Sequence, residues 1–340
     1  MRRLFQLFLI VTTAVALAAC GGDDAPDSGT DAASGRKLVV YSGRNENLVR
    51  PLIDRFAKES GIKVEVRYAD TTELTATLLE EGDATPADVF FSQDAGALAA
   101  LAAEGRLAEL PSGVADDVDP RFVDPDNRFT GVTGRARTFA YDPAEIPAPE
   151  LPRSIFDVAD PKWKGRLGLA PANASFVSHM SALRVEFGDE KVKKFLADLA
   201  ANEPQLFDSN TLVVQAVAAG EVDLGLVNHY YALNEKRERP KSPVVNAFPE
   251  EGAFVNLAGV GILEGAEHRD EADEFVAFLL SEEGQDYFRT ETNEYPLVDG
   301  ANAPTGLPAL GELDTIQAPL AELGKDLESS VRFIEDAGLA

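Results

Sequence analysis

The chain has 340 residues, with 58 Asp and Glu against 31 Lys and Arg and a formal charge of −27. That balance argues against nucleic acid and anionic lipid headgroups as partners, since both are recognised through basic patches, whereas metal cations suit it. A single cysteine, Cys20, leaves the mature chain no disulfide and no thiolate for a zinc-finger or Cu(I) site. In chain order, residues 1–19 read as a signal peptide: Arg2 and Arg3 precede an apolar run broken only by Gln6, Thr12 and Thr13. The run is shorter than the roughly 20 residues that a spanning helix needs, which disfavours an uncut transmembrane anchor. Residues 20–35 carry no large apolar side chain and read as a flexible tether.

About 300 residues follow, enough for two core-forming units of ordinary size. Residues 37–42 (KLVVYS) form a short apolar run of strand type, and Leu48, Leu52, Ile53 and Phe56 recur at helical spacing until Gly61. Residues 62–68 alternate as a second strand, Leu74, Leu78 and Leu79 mark a helix ending near Gly82, and residues 88–92 give a third strand before an Ala/Leu-rich helix to about Glu104. This βαβαβ order predicts a mostly parallel sheet with right-handed crossovers. Asp124-Pro125-Asp126-Asn127 lacks the glycine and closing glutamate of a calcium loop and reads as a surface turn.

Residues 133–141 are strand-like, and the proline-rich stretch 143–152 that follows is a linker or surface loop. A second α/β unit comes next: a strand at 167–170, helices at 175–187, 190–200 and 212–219, and a strand at 224–227. That strand runs into Asn228-His229-Tyr230-Tyr231. Adjacent phenols at the carboxyl end of a strand face the crevice where open α/β proteins hold ligands. An extended segment at 254–262 and an amphipathic helix at 270–280 complete the series. The sequence contains no HExxH, GxSxG, GxxxxGK[ST] or GxGxxG pattern, and neither a nucleophile motif nor a zinc-type histidine cluster supports an enzyme.

The exit of the leader, Leu17-Ala18-Ala19-Cys20-Gly21, resembles the bacterial lipobox, in which the cysteine is lipidated and becomes the new N-terminus. Six further stretches recur together in one family. They are Val39-Val40-Tyr41-Ser42-Gly43-Arg44; Glu81-Gly82 with Pro86-Ala87-Asp88-Val89-Phe90; Gly134-Arg135-Ala136-Arg137 leading to Tyr141; Gln215-Ala216-Val217 with Gly220-Glu221; Asn228 to Tyr231; and Asn293-Glu294-Tyr295-Pro296-Leu297. In their order and spacing the chain resembles the ferric-iron substrate-binding proteins of bacterial ABC transporters. These are the ferric-binding or bacterial transferrin family within the type II periplasmic-binding-protein-like fold.

The resemblance implies a two-lobe α/β protein, each lobe a mixed, mostly parallel sheet flanked by helices, with two hinge strands. The expected division is an N-lobe of residues 36–135 plus 262–310 and a C-lobe of 136–261 plus 311–340. It implies a monomeric, lipid-anchored receptor on the extracytoplasmic face of the cell membrane that delivers Fe³⁺ to an ABC transporter permease. Tyr230, Tyr231 and Tyr141 would be phenolate ligands, three charges against three. The family's histidine on the first loop is Asn45 here, and its glutamate aligns with Thr72 or, shifted by one, with Glu73, the candidate carboxylate ligand. A synergistic anion, carbonate or phosphate, would complete the coordination, held by Arg44, Arg137, Asn173, Ser175, Asn210 and Asn228, with Asn45 and Thr72 as further candidates.

Elementary chemistry agrees with that site. Fe³⁺ is hard and favours anionic oxygen, and its charge drives off a phenolic proton that otherwise leaves only near pH 10. The same fold could instead hold an oxyanion, a phosphonate or a polyamine, with the tyrosines only lining the pocket. Tyr41, Tyr68, Tyr287 and Tyr295 read as packing residues, and His179, His268 and Trp163 as surface positions.

Overall fold

The computed structural model describes residues 35–324 and 327–339. The signal peptide, Cys20 and nearly all of the tether lie outside them.

The first strand, β1 (Lys37–Ser42), feeds α1 (Glu46–Ser60), which Asn45 caps by accepting from the Asn47 amide and which Gly61 ends in the left-handed conformation. Its buried face is Val49, Leu52, Ile53 and Phe56, the stripe read from the sequence with one residue exchanged. Then come β2 (Lys63–Tyr68), α2 (Thr71–Glu81), β3 (Val89–Ser92) and α3 (Ala95–Ala103). β1 lies between β2 and β3, parallel to both. Asp124 Oδ2 accepts from the Asp126 and Arg128 amides and Asn127 is left-handed, so residues 124–127 are the turn expected.

The long strand β4 (Phe129–Tyr141) starts four residues earlier than its pattern suggested and is buried throughout. Its first part pairs with β9 and its last part, from Arg137 on, with β7. Past it lie β5 (Leu167–Leu169), α4 (Ala174–Phe187), α5 (Asp189–Ala201), β6 (Gln205–Leu206), α6 (Asn210–Ala219), β7 (Leu224–Asn228), α7 (His229–Glu238) and β8 (Val245–Ala247). β5 is parallel to β6 and β7. The chain then returns through β9 (Val255–Ile262), antiparallel to β3 and β4, and finishes with α8 (Arg269–Leu280), α9 (Glu282–Tyr287), β10 (Tyr295–Pro296), α10 (Leu320–Gly324) and α11 (Leu327–Asp336). The strand order is β2-β1-β3-β9-β4-β7-β5-β6, with β8 and β10 also on β4.

Two mixed sheet portions flanked by helices thus share β4, the α/β type II periplasmic-binding architecture. The outward crossing is at Ala136–Arg137 and the return at Phe254–Val255, where the Arg137 amide donates to the Phe254 carbonyl. β9 therefore belongs with the first sheet, so the chain returns before residue 255 and not at the 261/262 boundary drawn from sequence. Gly259 lets β9 pass close to β4, since a Cβ there would come 2.6 Å from the Thr130 carbonyl oxygen.

A first core gathers β1, β3, α1, α3, α8 and most of β9. A second lies between β4, β5, β7, α4 and α5. Trp163 is fully buried in the second core, not on the surface: a short 3₁₀ turn brings it inward, and Lys162 and Arg166 lie over its ring. His179 is likewise buried, donating through Nε2 to the Gly252 carbonyl and stacked on Phe254. Both were misread because one aromatic or histidine in a polar stretch carries no periodic signal.

Candidate functional site

The carboxyl ends of β1, β2, β3 and β7 open onto one cleft of about 1060 Å³. This is where open α/β sheets hold ligands. One wall comes from the first sheet: Gly43, Arg44, Asn45 and Glu46 after β1, Tyr68 to Asp70 with Glu73 after β2, and Gln93 after β3. The other wall is Asn173 before α4, Thr211 and Val214 of α6, and Tyr230, Tyr231, Asn234, Glu235 and Glu238 of α7. Gly43 is needed where the first loop turns, because a Cβ there would stand 2.1 Å from Thr71 Oγ1, the group that also accepts from the Gln93 amide.

Tyr230 and Tyr231 fall in the first turn of α7, which starts directly after β7. Their rings are 4.3 Å apart and tilted by 30°. The partial positive charge of a helix N-terminus favours an anion there. Burial, reinforced by Tyr231, nevertheless raises the Tyr230 phenol well above its usual range near pH 10, and Arg135 opposes this only in part. Tyr230 is therefore a neutral phenol at pH 7 unless a cation lies beside it.

His229 fixes the dyad from behind. Its Nδ1 accepts from the Ala136 amide at the outward crossing and its Nε2 donates to the Asn293 carbonyl, which assigns the tautomer. Burial pushes His229 down to about 4, so the ring is neutral in this role. Asn293 is left-handed at the end of a π-turn over Phe288–Thr292, and its side chain donates to Asn234.

Beneath the cleft lies a buried charge cluster. Arg44 donates to Gln93 Oε1 and to Glu294, and Arg135 Nε stands 3.9 Å from the same carboxylate. Burial alone would raise Glu294, but Arg44 and Arg135 hold it below the ordinary carboxylate range. Arg137 donates to Asn228 Oδ1 and the Leu226 carbonyl; burial lowers it to about 10, still a cation at neutral pH, with Tyr231 and Tyr230 counteracting.

The expected site residues separate on this geometry. Tyr230, Tyr231, Arg44, Asn45, Glu73 and Asn173 meet in the cleft. Tyr141 does not: it pairs with Leu224, at the opposite end of β7 from Asn228, and packs in the second core. Four residues of strand put it roughly 13 Å from the Arg137 end. Its match to a tyrosine ligand position fails because antiparallel pairing carries it away from the crevice. Thr72 is exposed on α2 and does not line the cleft.

Arg137, Asn228 and Ser175 form a closed relay, Arg137 to Asn228 Oδ1 and Asn228 Nδ2 to Ser175 Oγ. Both terminal nitrogens of Arg137 are engaged in this way, while its Nε is buried with no partner among the described residues. Arg44 has its two terminal nitrogens engaged, Asn45 and Asn173 accept from the amides two residues on, and Asn210 is buried with neither amide atom partnered among the described residues.

Sequence reading missed four participants. Gln93 was findable, as the residue just past a predicted strand end. Glu235 was too, at four residues beyond Tyr231 on the same helix face. Tyr68 lines the cleft with a buried hydroxyl that has no partner among the described residues; burial and the Glu46 charge push it up to about 12. Glu294 stood in one of the six family stretches, but nothing in that stretch marked it as the partner of Arg44, since a single acid in a late turn is indistinguishable from a surface charge.

The lining includes five carboxylates, Glu46, Asp70, Glu73, Glu235 and Glu238, against one arginine already paired to Glu294. Among the described residues no group of three His, Cys, Asp or Glu side chains is arranged to hold a metal. A metal in this cleft would draw on the phenols.

The model of the bacterial extracellular solute-binding proteins matches residues 38–291. The chain is 32% identical over 318 residues to an Fe(3+)-binding periplasmic protein of Serratia marcescens, covering 92% of this chain and 93% of that one. Iron-bound HitA from Pseudomonas aeruginosa superposes with a TM-score of 0.83 at 31% identity, over 89% of this chain and all of the other. A Trichodesmium protein in complex with iron and citrate gives 0.79 at 27% identity, with 89% and 100% covered.

Proposed function

The chain belongs to the bacterial extracellular solute-binding proteins, and we propose that within that family it is a receptor for ferric iron. On this reading the ion sits between two lobes, bound by the Tyr230 and Tyr231 phenolates, and the protein passes it to the permease of an ABC importer. Lipidation at Cys20 would hold the receptor at the outer face of the membrane. The two sheet portions act as the lobes, and the crossings at Ala136–Arg137 and Phe254–Val255 act as the hinge.

One observation carries the reading: two adjacent phenols at a helix N-terminus, in a cleft whose carboxylates outnumber its single, already neutralised arginine. That field disfavours an oxyanion as the primary ligand and concentrates a small hard cation. The relatives named above bind iron by their own descriptions, which points the same way. Binding requires Tyr230 to lose its proton, and a trivalent ion at bonding distance supplies the driving force that its buried site withholds. Arg137, beside both phenols, lowers the cost further. With Arg44, Asn228 and Ser175 engaged, a synergistic anion such as carbonate or phosphate would enter from the side of Asn173.

Calorimetric titration with ferric citrate tests this. Wild-type protein should bind one ion and release protons to the buffer, and Tyr230→Phe should lose affinity beyond the ~100-fold that follows loss of an outer-shell partner. Undiminished affinity in that variant would refute the phenolate reading.

A further inference from the structure

Glu235 is 5% exposed, yet it lines the cleft. Its Oε2 accepts from Arg239 one turn on, and its Oε1 is buried without a hydrogen-bond partner among the described residues. Buried carboxylate oxygens are seldom left bare, because desolvation is then uncompensated. Tyr231 stands four residues earlier on the same face of α7, and Thr211 and Val214 of α6 border the same space. Glu235 thus brings a bare, buried carboxylate oxygen to the same helix and the same cleft wall as the two phenols.

We propose that Glu235 is a metal-binding residue, its Oε1 supplying the third anionic oxygen beside the Tyr230 and Tyr231 phenolates. The inference rests on the ferric reading of the cleft. Two phenolates and one carboxylate carry three negative charges, the balance that Tyr141 was expected to provide from a position it does not occupy. Arg239 holds Oε2 and so orients Oε1, the way outer groups fix a ligating carboxylate. The remaining lining acids are less suited: Glu46 is tied to Arg50, Glu73 is exposed and 3.9 Å from Arg67, and Asp70 and Glu238 are exposed. A protein carboxylate in this place also reduces the dependence on an exogenous anion, in keeping with the hydrogen bonds that already occupy Arg44, Arg137, Asn228 and Ser175.

The test uses the full chain and ferric nitrilotriacetate, with affinity read by competition against citrate and the site read by visible absorption. Glu235→Gln should keep a phenolate-to-iron band at a shifted maximum and lose affinity by about tenfold or more. Added bicarbonate should restore part of that loss in the variant while changing the wild type little. Glu235→Asp, which keeps the charge but retracts the oxygen by one methylene, should also lose affinity; it carries the test if the glutamine variant does not fold. Wild-type affinity and band position in the folded variants would overturn the assignment. An uncoloured wild type would instead overturn the ferric reading on which it rests.

Discussion

The two walls of the cleft are built in different ways. The α7 wall gathers Tyr230, Tyr231, Asn234, Glu235 and Glu238 from one helix, with their spacing set by a single backbone. The facing wall is assembled from the ends of three strands, Gly43 to Glu46, Tyr68 to Glu73 and Gln93, and its one arginine is spent on Glu294. A helix holds its donors in fixed relation before any ligand arrives, whereas strand-end loops can be brought up afterwards. On the ferric reading proposed above, α7 would capture the ion first and the facing wall would close on it.

Substitutions that remove oxygen from the α7 wall should have the largest effect. Replacing both Tyr230 and Tyr231 by Phe should abolish ferric binding in equilibrium dialysis, while Asn45→Ala on the facing wall should cost less than about tenfold. Comparable losses on the two sides would erase the distinction.

The facing wall depends on its buried charges for stability more than for affinity. Glu294→Ala leaves Arg44 and Arg135 buried without their counter-charge, and denaturant unfolding should show a loss of about 3–5 kcal/mol. A change under 1 kcal/mol would mean that the cluster is solvated in a way its burial does not suggest.

His179 sits where the return crossing meets α4 and reports on the junction between the walls. Burial, with Arg137 adding, pushes it down to about 3. Between that value and the unfolded value near 6.5 the unfolded chain binds a proton that the folded chain refuses. Its contribution is therefore complete above pH 6.5 and declines as pH falls, at up to ~1.4 kcal/mol per pH unit for the one proton. The stability difference between wild type and His179→Gln should shift toward the variant on going from pH 7 to 4.5; a difference that stays constant would contradict the burial argument.

The smallest effect is expected at Tyr141. Tyr141→Phe should leave ferric affinity within about twofold of wild type, because the phenol lies at the far end of β4. A large loss would mean that the strand register or the closure differs from the one described.

These contrasts also explain how much of the molecule was legible in its residues. Helices such as α1 and α8 were readable because a 3.6-residue stripe repeats several times within each. The dyad was readable because it is contiguous and follows an apolar strand. β4 was cut short at 133 because a strand buried on both faces shows no alternation, and Phe129 to Val132 look like loop when Gly131 stands among them. Tyr141 was misplaced because distance along a strand is invisible until the partner register is known. The Arg44, Arg135 and Glu294 cluster joins positions far apart in the chain, and nothing local announces that these three charges share one buried space.

Visible absorption during titration with ferric iron tests the central claim most directly. Phenolate ligation predicts that colourless protein turns orange to red, that the band saturates at one ion per chain, and that Tyr230→Phe and Tyr231→Phe each weaken it. Tight iron binding with no such band, or no binding at all, would contradict the account.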